Sequence, residues 1–126
     1  TEGRITKTKV VVFQMEALIA MLKNDDNAVE LHLSEATKLE ASRSYDSGPP
    51  FIAYPSFEQY GDWLLTKNRA ADALVQFDRS LENRTSRSKA LRGKIEALKM
   101  LEKRNEAEEV QKILDVFWKN EIIASN

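Results

Sequence analysis

The sequence predicts an all-α fold of three antiparallel helix pairs, stacked as a short right-handed solenoid. Three observations predict it. Only four glycines and three prolines interrupt the 126 residues, and Ala, Leu, Lys, Glu and Gln are plentiful, which favours helix nearly throughout. Apolar residues recur at three- and four-residue steps in several segments, as a helix with one buried face requires. The segment from Phe57 to Phe77 carries the spacing of a whole helix-turn-helix unit: Phe57, Tyr60, Gly61, Leu64, a polar break, then Ala73 and Phe77. Gly61 and Ala73 let two antiparallel helices approach closely, while Phe57, Tyr60, Leu64 and Phe77 fill the space between them.

The elements follow in order. From Thr8 to Lys23, Val11, Val12, Met15, Leu18, Ile19 and Leu22 mark one face of a helix, expected to be its buried face. Asn24-Asp25-Asp26-Asn27 supplies a turn and a cap. Val29, Leu33, Ala36, Leu39 and Glu40 then continue a second helix to about Arg43, laid back on the first. Residues 44–54, with Gly48, Pro49 and Pro50, form a connecting loop that ends at Pro55. Its Tyr45, Phe51, Ile52 and Tyr54 are apolar enough to pack on the helices. A third helix begins after Pro55, with Ser56 near its cap, and runs to about Lys67. A fourth runs from about Ala70 to Glu82. Thr85 or Ser86 caps a fifth that reaches about Lys103, and a sixth begins near Asn105 and carries Val110, Ile113, Leu114, Phe117 and Trp118.

A helical repeat should recur at about 34 residues. That shift sends Phe57 to Leu91, Leu64 to Leu98 and Ala73 to Ala107, all of which keep their character. It also sends Gly61 to Ile95 and Phe77 to Gln111, so the last unit is degenerate, with Gly93 displaced by two positions and Val110 beside the expected apolar site. Terminal repeats are commonly atypical, because one face has no neighbour to cover it. Backwards, Phe13, Ala17, Val29, Leu33 and Ala36 fall in the places of Phe57, Gly61, Ala73, Phe77 and Ser80 at a constant offset of 44, the residues beyond one period lying in the Pro-rich loop. The pairs are thus about 8–43, 55–85 and 86–125, within one domain spanning 1–126.

On these residues the chain resembles the tetratricopeptide repeat family. More narrowly, it is similar to bacterial repeat proteins in which a long helix, a Pro/Gly loop and a run like Pro55-Ser56-Phe57-Glu58-Gln59-Tyr60-Gly61-Asp62-Trp63-Leu64-Leu65 follow one another. The chain departs from the family pattern at Thr85, where proline is usual, and in lacking a glycine in its first and last turns. The resemblance implies a non-catalytic protein–protein interaction module, whose groove, formed by the first helix of each pair, holds an extended or helical partner peptide. Its lining would be Gln14, Leu18 and Met21, then Glu58, Asp62 and Leu65, then Lys89, Arg92, Glu96 and Lys99. Such a groove is acidic in the middle and basic at its end, which suits a ligand of mixed charge whose carboxylates meet Lys89 and Arg92. The alternative is a structural or assembly domain that packs against the rest of its own chain or self-associates through its terminal helices. A large apolar patch on an outer helix, for instance around Trp118, Ile122 and Ile123, would mark that role.

Composition narrows the other classes. Nineteen basic and twenty acidic side chains leave a net charge of −1, which provides no overall field to draw in nucleic acid or an anionic membrane. The absence of cysteine removes disulfides, thiol nucleophiles and thiolate metal sites. The single histidine rules out a multi-histidine metal site. No apolar run nears the roughly 20 residues of a membrane span. The expectation is a soluble domain, cytoplasmic or exported, that needs no metal or cofactor and inserts in no membrane. A start at Thr1 without a signal region suits an excised piece of a longer protein or a processed product.

His32 and Glu35 share one side of a helix and could pose as a base and its orienter, but no nucleophile or oxyanion donor accompanies them, so no enzymatic site is expected. Asp25-Asp26 lacks the alternating ligands and closing glutamate of a calcium loop and reads as a helix cap. Arg84, Arg87, Lys89, Arg92 and Lys94 cluster without an intervening acid, yet a nucleic-acid patch needs aromatic or amide partners as well, so no nucleic-acid partner is expected. Asn83-Arg84-Thr85 fits a glycosylation sequon and, more simply, a helix end and turn. Trp63 reads as a packing residue, while Trp118 reads equally as packing or as an anchor for a partner.

Overall fold

A computed structural model of the chain describes the backbone of residues 2–42, 55–83 and 88–125, and the side chains of 5–42, 55–82 and 88–119. The described residues form six helices and no strand: α1 Glu2–Leu22, α2 Asp26–Ala41, α3 Ser56–Thr66, α4 Ala70–Asn83, α5 Ser88–Met100 and α6 Arg104–Ser125. The expected Pro-rich loop, the caps at Thr85 and Ser86, the sequon and the side chains of Ile122 and Ile123 lie outside the described residues. The chain divides into two compact units, Thr1–Tyr60 and Gly61–Asn126.

In the first unit α1 packs along α2. The turn between them is a Schellman closure: Asn24 has φ 57°, its N–H donates to the Met21 carbonyl, and the Asp25 N–H reaches back to the Ala20 carbonyl. Asp25 then caps α2, its carboxylate accepting from the Ala28 N–H at 3.2 Å. Two more turns repeat this arrangement. After α3, Asn68 has φ 58° and the Arg69 N–H donates to Leu64; after α5, Glu102 has φ 61° and the Lys103 N–H donates to Leu98. Asn24, Asn68 and Glu102 stand 44 and 34 residues apart, the two offsets that align the apolar positions in the sequence. Polar side chains, not glycine, take the left-handed position in all three turns.

The buried face of α1 differs from the expected one. Val10, Gln14, Ala17 and Ala20 are buried, while Val11, Val12, Met15, Leu18, Ile19 and Leu22 are 39–85% exposed. α1 carries two stripes on opposite sides. The one with small residues permits close approach to Val29, Leu33 and Ala36 of α2, also buried, so it takes the interior and leaves the bulkier stripe outward. α1 also begins six residues before Thr8, since nothing in Arg4-Ile5-Thr6-Lys7 breaks a helix already formed.

In the second unit α4 packs on α5, and α5 on α6. Phe77 of α4 is 1% exposed and sits where two glycines meet its ring. A β-carbon added at Gly61 would come within 2.7 Å of that ring, and one at Gly93 within 2.2 Å. Gly93 therefore serves α5 as Gly61 serves α3, although it falls two positions from the 34-residue register. Beyond it, Leu91, Ile95 and Leu98 of α5 join Ala107, Val110 and Leu114 of α6 in one core cluster, against which Leu74 and Leu81 pack. Trp63 is buried, as a packing residue should be.

Candidate functional site

The ten residues expected to line a groove divide between the two units. In the first, Gln14 and Glu58 are buried, at 8% and 1% exposure, Met21 is half-buried and Leu18 exposed. Gln14 is enclosed because it shares the inward face of α1 with Val10 and Ala17. In the second unit Asp62 is exposed and Leu65 half-buried, while Lys89, Arg92, Glu96 and Lys99 all stand exposed on α5.

Arg92, Glu96 and Lys99 come together at a site. Successive turns of α5 place them along one edge of an open furrow between α5 and α6, where Ile95 and Leu114 form the floor and Gln111 and Trp118 the far wall, around a volume of about 460 Å³. It adjoins a second hollow of about 470 Å³, in which Ile95, Lys99 and Gln111 are joined by Arg104, Ala107 and Glu108. The pair forms because the α5–α6 core is narrow. Leu91, Ile95 and Leu98 meet Ala107, Val110 and Leu114, and the longer residues one step around each helix stand up as walls.

Local contacts fix the walls. The Arg92 guanidinium carbon lies 5.0 Å from the centre of the Trp118 ring, a cation–π arrangement that links the α5 and α6 sides of the furrow. Gln111 donates from Nε2 to Asp115 Oδ1 at 2.9 Å. Lys99 Nζ and Glu96 Oε1 are 4.0 Å apart on the exposed edge. The furrow therefore offers an aromatic face and an aliphatic floor beside the cations Arg92, Lys99 and Arg104 and the carboxylates Glu96 and Glu108. It suits an amphipathic segment that carries carboxylates beside an apolar anchor.

The other candidates resolve into structural roles. His32 faces α1: its Nδ1 is 3.2 Å from Glu16 Oε2 and its ring is tilted 32° against Phe13 at 6.1 Å. Glu35, the expected orienter, pairs instead with Lys38 at 3.6 Å. The basic cluster separates as well, since Lys94 turns to Asp78 at 2.8 Å and Arg92 to Trp118, while Arg84 and Arg87 lie outside the described residues. Among the described residues no group of three or more histidines, aspartates and glutamates could hold a metal. No described helix is long and apolar enough to cross a membrane.

Two features escaped the sequence reading. Glu40, 5% exposed at the end of α2, accepts at Oε1 from the Ser56 N–H at 3.0 Å. That N–H is the first of α3 and has no partner within its own helix. Trp118 and Arg92 were each legible as residues that meet a partner, but their contact with each other was not, because they lie on different helices.

The chain matches no family model, no curated protein and no solved structure.

Proposed function

We propose that the chain is a non-catalytic protein-binding module, a short TPR-like solenoid of three antiparallel helix pairs that seats a partner segment in the α5–α6 furrow. The repeat reading is supported by the three equivalent turns at Asn24, Asn68 and Glu102 and by the two glycines that share Phe77. The observation that carries the binding reading is the convergence of Arg92, Glu96 and Lys99 with Trp118 on one open furrow. Trp and Arg are the residue types that most often dominate interface energetics. Here Trp118 is pre-positioned under a guanidinium, so little side-chain freedom is lost on binding. The partner is an amphipathic peptide segment whose carboxylates meet Arg92 and Lys99 and whose apolar side chain lies on Trp118 and Ile95.

A second reading, a domain that serves assembly, draws on the apolar outer face of α1. The two readings use different elements and can hold together.

Selection of a random peptide library on the immobilised protein tests the furrow. The wild type should enrich peptides that combine carboxylates with an apolar anchor, and the Arg92→Glu/Lys99→Glu double variant should lose them. Enrichment that the double exchange leaves unchanged, or none at all, contradicts the assignment.

A further inference from the structure

The outer face of α1 is more regular than a chance patch. Written as heptads with Ile5 at position a, the helix places Ile5, Val12 and Ile19 at a, Thr8, Met15 and Leu22 at d, Val11 and Leu18 at g, and Lys9, Glu16 and Lys23 at e. Every one of these is exposed. Every residue at b and c from Thr6 to Met21, and at f Val10 and Ala17, is buried or half-buried. The intramolecular packing thus uses one side of α1, with the e residue Glu16 alone reaching around to His32 Nδ1 at 3.2 Å, and the a/d/g side is a separate seam. Only Thr8 interrupts its apolar character. The seam runs about 27 Å, with the spacing by which a helix pairs with another helix through interlocking side chains.

We propose that this seam binds the same seam of a second copy of the chain, as an antiparallel helix pair about a two-fold axis. The axis passes midway between Val12 and Met15. Ile5 then meets the partner's Leu22, Thr8 meets the partner's Ile19, and Val12 meets the partner's Met15, so every core layer joins an a position to a d position. The flanks choose the direction. In the antiparallel register e faces e and g faces g: Lys9 lies opposite the partner's Glu16, twice by symmetry, where the Glu16 carboxylate that meets His32 of its own chain is still 46% exposed, and Val11 opposite the partner's Leu18. Ions meet opposite ions on one flank and apolar side chains meet on the other. In a parallel pair, g faces e of the other helix, which sets Val11 against the partner's Glu16 and Leu18 against the partner's Lys23, apolar against charged on both sides. Charge complementarity therefore selects a second copy in the antiparallel sense, and an isologous contact of this kind closes as a dimer rather than growing into a fibre.

The test is sedimentation of the full chain over a concentration series. A single helix pair is a small interface, so the monomer–dimer transition should fall in the micromolar range. Met15→Glu and, separately, Leu18→Glu place a carboxylate in the seam on residues already exposed in the monomer. Each should keep the helical circular dichroism and raise the dissociation constant about 100-fold. Lys9→Glu should weaken the dimer, and adding Glu16→Lys should restore it. The chain has no cysteine, so orientation is read by disulfide formation. Thr8→Cys protein mixed with Ile19→Cys protein should cross-link between the two kinds, and neither variant should cross-link well with itself. A chain that stays monomeric at every concentration would leave the face to another occupant and overturn the proposal, as would a dimer indifferent to both glutamate variants, or self-cross-linking of each cysteine variant, the mark of a parallel pair.

Discussion

Arg92 and Trp118 meet across two neighbouring helices: the guanidinium carbon stands 5.0 Å from the ring centre, with Arg92 on the α5 edge and Trp118 on the α6 wall of the furrow. A cation held over an exposed indole contributes about 0.5–1 kcal/mol. Arg92→Ala should cost that much stability in urea denaturation and should weaken binding of any peptide selected on the wild type. Full stability together with full binding would show that the pair orders nothing.

Phe77 sets a sharper demand. Because a β-carbon at Gly93 would come within 2.2 Å of its buried ring, Gly93→Ala should destabilise the protein by about 1–3 kcal/mol. Phe77→Leu leaves room and should cost about 1–3 kcal/mol by itself. The double variant should then be clearly more stable than the sum of the two losses, a coupling that a double-mutant cycle reads directly. Simple additivity would mean that the two residues do not oppose each other.

How far the sequence foretold these relationships depends on how local they are. Phe57, Leu64, Ala73 and Phe77 were legible because their spacing within two successive helices constrains both at once, and all four are buried. Gly93 was seen but placed out of register, since a two-residue slip in a helix still reaches the same neighbouring ring from another angle. α1 was misread because Val10, Ala17 and Ala20 compete with Val12, Met15 and Ile19 for the interior. Hydrophobicity favours the second set, yet close helix approach favours the first. The partnership of His32 with Glu16 and of Ser56 with Glu40 joins separate helices, which no pattern along one helix encodes. On α5, Arg92, Glu96 and Lys99 were legible as an exposed stripe and on α6 Trp118 was legible as either packing or an anchor, while their meeting across the two helices was not.

The left-handed turn residues differ in fitness. Asn tolerates φ near +60° because its side chain can bond locally, whereas Glu102, with φ 61°, bears the steric cost of a β-carbon there. Glu102→Gly should therefore stabilise the protein by about 1 kcal/mol, visible as a higher urea midpoint with an unchanged slope. A loss of stability would mean that the Glu102 side chain contributes more than its backbone costs.

Glu40 joins two helices across a stretch of intervening chain. Its Oε1 accepts from the buried Ser56 N–H at the positive end of α3. Glu40→Ala removes the acceptor and should cost about 1.5–3 kcal/mol. Glu40→Gln keeps an oxygen able to accept and should cost visibly less. Equal losses for the two would place the contribution of Glu40 in its charge rather than in this bond.

The most direct test of a partner seated on the α5–α6 furrow uses the two tryptophans. Trp63 is buried at 7% exposure and Trp118 is 37% exposed, so a ¹⁵N-labelled sample gives one indole signal from each. On titration with a peptide selected on the wild type, the account predicts that the Trp118 indole signal moves in step with the amides of Arg92, Ile95 and Lys99, while the Trp63 signal stays in place. Binding that leaves the Trp118 signal unmoved would contradict it.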